Sequence, residues 1–300
     1  MARGQPSTFS ICGLDPATGE LGVAVQSKYF AVGAVVPWAL AGVGAVATQA
    51  AVVAGYGPRL LAALADGADP EGAIRIVLGP DEARETLQLG VVAANGRSAA
   101  WTGSECNDWA GQETGDGFAA QGNILAGEAV VADMARAFRE TGGSLAERLV
   151  AGLEAAQAAG GDSRGQQSTA VCVERPGAGL ETGELVDRVV DLRVDDHEQP
   201  IVELRRLLEI HLRWRYLTLA FRHRRAERLD EGCALLAAGL ERYPDDATLL
   251  YDLACYEALL GRLDDALAHL RRSLELDESL WPLAATDSDL TALRERGERF

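Results

Sequence analysis

Thr8-Phe9-Ser10-Ile11-Cys12-Gly13-Leu14-Asp15-Pro16-Ala17-Thr18-Gly19-Glu20-Leu21-Gly22-Val23-Ala24-Val25-Gln26-Ser27 reads as two strands folded back on each other. Residues 8–13 alternate and lean to β structure. Asp15-Pro16-Ala17-Thr18-Gly19 then supplies turn chemistry: a side chain that bonds its own backbone, a fixed φ, and a glycine to close. Residues 21–27 follow as a second strand, so the pair predicts a hairpin. Two further apolar runs, 33–38 and 43–49, predict two more strands, and four strands open the chain.

Beyond them the period changes. Residues 58–66 and 70–78 place apolar side chains at helical spacing, with proline in the first turn where its missing N–H costs nothing. Strand signals return at 87–93 and 98–102 around Asn95-Gly96, a strong hairpin dipeptide, and again at 118–123. Helices are predicted over 127–141 and 144–159, the second opened by a Ser144/Glu147 capping box. Residues 167–173 and 186–194 read as closing strands. Strands, two helices, strands, two helices and strands suit an α+β fold, in which two antiparallel sheets are each covered by helices.

After Asp195-Asp196-His197-Glu198-Gln199-Pro200 the pattern becomes almost wholly helical, with a 34-residue repeat. Leu219, Leu229, Asp230, Leu236 and Leu240 recur as Leu253, Leu263, Asp264, Leu270 and Leu274. This resembles the tetratricopeptide repeat, with departures at Glu257, Ser273 and Glu278, where tyrosine, alanine and proline are usual. The expected domains are 1–198, with 1–7 as an N-terminal extension, and 199–300 as a helical protein-interaction region. The tail's Arg205, Arg206, Arg213, Arg215, Arg222, Arg224, Arg225 and Arg228 read as the solvated face of amphipathic helices, or as a dock for an acidic partner, including the chain's own acidic half.

The bulk numbers exclude several classes. The net charge is -17, and residues 1–200 carry 13 basic against 26 acidic side chains. A phosphate backbone needs cations to neutralise it, so nucleic acid is not an expected partner. Residues 29–58 carry no charge, a span long enough for a bilayer. However, Gly33, Pro37, Gly42, Gly44, Gln49 and Gly55 interrupt it, and no membrane segment is expected. Five scattered cysteines without a C-x-x-C pair fit reduced thiols, and no signal peptide is visible, so the expected location is cytoplasmic. Asp195-Asp196-His197 lacks the spacing of a zinc site, and no phosphate or dinucleotide loop occurs, so neither metal nor cofactor is expected.

The 8–27 stretch also resembles the opening of a bacterial family called domain of unknown function 1028. Further matches run through Ala31-Val32-Gly33, Val36-Pro37-Trp38-Ala39, Ala41 to Ala50, Gln121-Gly122-Asn123, Gly161-Asp162, Arg164-Gly165, Gln167-Ser168 and Asp191 to His197. The resemblance implies a four-layer αββα sandwich similar to N-terminal-nucleophile (Ntn) hydrolases, and with it a chemistry. An Ntn hydrolase uses the hydroxyl or thiol of a chain-terminal residue as nucleophile and the free α-amine as its base.

On that implication Thr8 is the nucleophile and Lys28, the only lysine, tunes it. Asp15, Asn123 and Ser168 are the assisting catalytic candidates. Gln49, Tyr56, Gln121, Arg164 and Gln167 are candidates for binding a small amide or peptide substrate. Seven residues precede Thr8, so an active enzyme needs the Ser7–Thr8 bond broken. Two readings therefore stand: an amidohydrolase, or a non-catalytic binding or scaffold protein that keeps the fold and recruits a partner through 201–300. Association of identical copies is left open by both.

Overall fold

The computed structural model describes residues 8–179 and 186–297. They fall into two compact units, 1–208 and 209–300. The division lies inside a helix rather than at residue 198 where the sequence placed it.

In the first unit, β1 (Thr8–Asp15) and β2 (Glu20–Ser27) pair antiparallel as a hairpin, with Thr8 opposite Ser27 and Asp15 opposite Glu20. They form the middle of a six-stranded sheet ordered β10-β9-β2-β1-β8-β7. Its other strands are β7 (Gly111–Gly115), β8 (Phe118–Asn123), β9 (Ser168–Glu174) and β10 (Arg188–Val194). The second sheet has four strands, ordered β3 (Pro37–Leu40), β4 (Gly44–Ala50), β5 (Leu87–Ala93) and β6 (Ser98–Thr102). Every pairing described is antiparallel.

Two strand predictions need correcting. Val32–Ala34 forms a 3-10 turn, with the Ala34 amide bonded back to the Ala31 carbonyl and those of Val35 and Val36 to the Val32 carbonyl, so β3 starts only at Pro37. Sequence reading also passed over β7, whose Gly111-Gln112-Glu113-Thr114-Gly115 has no apolar alternation. As an edge strand it is held by pairing to β8 instead. The Asn95-Gly96 hairpin is present, with Gly96 at φ 86°, the left-handed region that glycine enters freely.

The two sheets face each other across Cys12, Leu14, Leu21, Val23 and Val25 on one side and Ala45, Ala47 and Val92 on the other. Helices α1 (Tyr56–Ala65) and α2 (Pro70–Leu78) bury Leu60, Leu64, Ile74 and Val77 against Val46, Leu89 and Val91 on the outer face of the four-stranded sheet. Helices α3 (Ala129–Glu140) and α4 (Leu145–Ala158) cover the outer face of the six-stranded sheet. There Gly22 lies against Leu149, and Phe9 and Ile11 are wholly buried. The Ser144/Glu147 capping box is formed in both directions. The uncharged stretch 29–58 thus becomes β3, β4 and their turns. No described helix is long and apolar enough to cross a membrane.

Helix α5 (Pro200–Arg225) leads from the first unit into the second. There α6 (Leu229–Arg242), α7 (Ala247–Leu259) and α8 (Leu263–Leu276) are followed by the short α9 (Trp281–Thr286) and α10 (Thr291–Glu295). Both α6 and α8 have 14 residues, and their bounds are offset by the same 34 positions as the sequence repeat. Two of the three departures from the repeat are answered locally. Ser273 is fully buried and its hydroxyl donates to the Ala247 carbonyl, and buried Glu257 pairs with His269 at 2.8 Å. Much of the arginine run is matched by carboxylates: Arg205 with Glu154, Arg206 with Glu203, Arg213 with Asp246 and Arg224 with Asp289.

Candidate functional site

At the Thr8 end of β1 the space between the sheets changes character. The alternation that points Cys12 and Leu14 inward also points Thr8 and Ser10 inward, so the apolar layer gives way to a polar one. Thr8, Ser10 and Ser27 from the hairpin, Gln121 and Asn123 from β8, Gln49 from β4 and Gln88 from β5 are all buried. Burying so many polar groups is tolerable only because they bond one another. The Thr8 hydroxyl donates to Ser27 Oγ at 3.2 Å. Gln49 accepts from the Ser10 hydroxyl at 2.6 Å and donates to the Thr8 carbonyl at 3.3 Å and to Gln88 Oε1 at 2.8 Å. Asn123 donates to the same Gln88 oxygen at 2.9 Å, and Gln88 donates on to Thr102 and to the Gly122 carbonyl. Gln121 donates to Ser10 Oγ at 2.7 Å, while its Oε1 has no partner and sits over Gly90.

No member of this network is ionisable. Carboxamides and hydroxyls can hold and orient a neutral group, but none can take a proton from Thr8 near neutral pH. A base would have to be the amino group of residue 8 itself, which ordinarily titrates at about 7.7–8.0 once free. In the chain as written it is acylated by Ser7.

The predicted site residues divide. Thr8, Asn123, Gln49 and Gln121 come together in the network. Ser168 is paired with Ser27 in the neighbouring register, accepts from the Val32 amide at 3.0 Å and donates to the Tyr29 carbonyl. It therefore anchors the turn after β2.

Lys28 is exposed, and its ammonium donates to the Gln166 carbonyl at 3.0 Å, whereas Thr8 is fully buried and bonded to Ser27. Lys28 and Gln167 instead line an open cavity of about 710 Å³ shared with Asp196 and His197. Gln167 there donates to Asp196. Arg164 is tied to buried Asp162, whose carboxylate also accepts the Lys28 amide. Asp15 lies at the opposite end of β1, about 23 Å from Thr8 at strand rise, and accepts the Ala17 amide within its turn. Tyr56 lies on α1 and donates to Asp81 at 2.5 Å.

Sequence reading missed Ser10, Ser27 and Gln88. The signal was available: each is a polar residue at an inward position of a strand whose other inward positions are small or apolar. Among the described residues, one group of potential ligands, Cys255, Asp287 and Asp289 in the second unit, lies close enough together to hold a metal. The cysteines are all free, and burial raises the Cys12 and Cys172 thiols, the latter to about 12. Neither is a nucleophile at neutral pH.

Residues 8–204 match a family of unknown function, DUF1028. The chain belongs to that family. Among solved structures it is similar to protein SPO2555 from Silicibacter pomeroyi, assigned to the same family, with 34% identity and a TM-score of 0.61. The similarity covers 68% of this chain and 88% of that one. No curated protein matches the sequence. The family match stops inside α5, four residues short of the end of the first compact unit.

Proposed function

We propose that this DUF1028 chain is a latent Ntn-type hydrolase of a small, neutral amide or peptide, joined to a tetratricopeptide-like tail that recruits a protein partner. One observation carries the reading. The Thr8 hydroxyl stands at the head of the central strand, between two sheets each covered by a helix pair, and is enclosed by carboxamides that suit a neutral amide. The layering favours the Ntn comparison. The absence of any ionisable group in the network leaves the α-amine of residue 8 as the base, so activity requires loss of residues 1–7. The identical 34-residue offset of α6 and α8 supports the repeat comparison for the tail. The five free thiols fit a reducing, cytoplasmic setting.

A second reading, a binding or scaffold protein without catalysis, is favoured by the same site's closure and by Lys28 bonding Gln166 rather than the nucleophile. Intact mass and N-terminal sequencing of material matured in its own cells separate the two. A Thr8-first chain that hydrolyses members of a neutral amide panel, with activity lost in Thr8→Ala, is the outcome expected of the hydrolase. A chain that keeps residues 1–7, together with a Thr8-first variant inert across the panel, overturns it.

A further inference from the structure

Helices α1 and α2 bury their apolar stripes against β4 and β5, and at the β6 edge the small side chain of Ala99 leaves room beside α2. The result is a cavity of about 460 Å³ on the outer face of the four-stranded sheet. Ile74 and Leu78, one turn apart on α2, form one wall. Ala99 and Trp101, alternate residues of β6, form the floor. The Trp101 indole N–H donates to the Arg84 carbonyl at 3.1 Å, so the ring brings apolar surface without a free donor.

The charged groups around this floor are unevenly matched. Glu71 lies one turn before Arg75 on α2, yet Arg97 takes it at 3.3 Å together with Asp69 at 3.0 Å. Arg84 has Glu85 at 3.3 Å, and that carboxylate also accepts from the Ser104 amide and hydroxyl. Arg75 has neither a hydrogen bond nor an ion pair among the described residues, and it feels Asp69 only at longer range. Acids outnumber bases 26 to 13 over residues 1–200, so a guanidinium left without an acid is unexpected there. The sheet edge adds a second donor. Ala99 and Trp101 bond back to β5, so the Ala100 amide points to the open edge, beside a carbonyl that already accepts from Gln112 at 3.1 Å.

An apolar floor rimmed by an unmatched cation suits an anion with an apolar body. A carboxylate would take Arg75 in a charge-assisted bond, while its body would remove Ile74, Leu78 and Trp101 from water. A neutral ligand would leave the guanidinium unmatched, and a bare inorganic anion would leave the floor wet. The volume lies within the range of small-molecule sites.

We propose that this cavity binds a small monocarboxylate with an aryl or medium-chain alkyl body, the carboxylate on Arg75 and the body against Trp101, Ile74 and Leu78. It is a second site, across the four-stranded sheet from Gln49 and Gln88, and it stands whether or not Thr8 is a nucleophile.

Calorimetric titration of the full chain tests it, with 4-phenylbutyrate, the neutral 4-phenylbutanamide and acetate as probes. Phenylbutyrate should bind with submillimolar Kd and about tenfold tighter than the amide, as one hydrogen bond between charged groups would give. Acetate, which lacks the body, should not bind measurably at millimolar concentration. Arg75→Gln, at an exposed position, should bring phenylbutyrate to the level of the amide with the thermal midpoint unchanged. Arg59→Gln, which alters an exposed arginine outside the cavity, should change nothing. The Trp101 indole N–H resonance, identified by its loss in Trp101→Phe, should shift as phenylbutyrate saturates. Equal binding of acid and amide, or binding undiminished in Arg75→Gln, overturns the proposal. So does a Trp101 resonance that stays still while phenylbutyrate binds, or acetate binding as tightly as phenylbutyrate. Tighter binding of acetyl-Leu-Phe-Glu-Leu-amide would make the cavity a protein-docking surface, and that result, or no phenylbutyrate binding at millimolar concentration, overturns it too.

Discussion

The carboxamide of Gln49 ties the first strand to the opposite sheet through two bonds, to Ser10 and to the Thr8 carbonyl, and bonds Gln88 within its own sheet. Replacing it with leucine keeps the bulk but leaves buried polar partners short of bonds, each at about 1–3 kcal/mol. Gln49→Leu is therefore expected to lower unfolding free energy by about 2 kcal/mol or more, read from urea melts. Tyr56→Phe should cost less, because the Tyr56–Asp81 bond is half-exposed and water replaces it. This contrast also bears on what could be read from sequence. Gln49 and Gln121 were recognisable as polar residues near strand ends, and both are in the network. Tyr56, Arg164 and Asp15 carry equally suggestive chemistry, but only the paths of α1, the Asp162 loop and the far hairpin turn reveal that each serves a local bond. Lys28 was singled out for its rarity, and rarity in composition holds no information about which way an ammonium points.

Strand and helix identity was legible wherever the apolar period was strong, as in β1, β2, β5 and the capped α4. It failed where pairing rather than pattern makes the strand, as in β7. How the two sheets mate was not legible at all, and one close approach between them illustrates why. Gly90 of β5 lies under Gln121 of β8, and an added Cβ there would sit 2.0 Å from Gln121 Oε1. Gly90→Ala must push the Gln121 carboxamide off Ser10, so a loss of roughly 2–4 kcal/mol is expected from overpacking together with the broken bonds. A fall in the denaturant midpoint of less than a few tenths of a molar, at unchanged m-value, would contradict that packing account.

In the second unit, the Glu257–His269 pair links α7 to α8, and the hydrogen bond that the Glu257 carboxylate accepts raises the His269 pKa. A group raised on folding adds stability that is complete below its unfolded value, about 6.5, and is lost as pH climbs through the raised one. The helical unit should therefore become less stable as the pH is taken upward from about 6.5. Glu257→Gln should flatten that slope, as measured by helix melting across the range.

The boundary between the two compact units belongs to the whole molecule, and it explains why the composition break at Pro200 misled. Residues 195–200 look like a linker because they are polar and end in proline, yet proline at a helix start is ordinary. The helix it begins continues to serve the first unit: Ile201 and Leu204 are 3% and 0% exposed, and Arg205 bonds both oxygens of Glu154 on α4. A chain ending at residue 198 gives up these contacts, and burial of two large aliphatic side chains is worth about 3–6 kcal/mol. A chain ending at residue 208 keeps them. The shorter one should unfold at clearly lower urea and expose α4 to proteolysis, with cleavage in the 145–158 helix as the marker. Equal midpoints for the two would mean that the first turns of α5 contribute nothing to the sandwich, and the boundary would then return to residue 198.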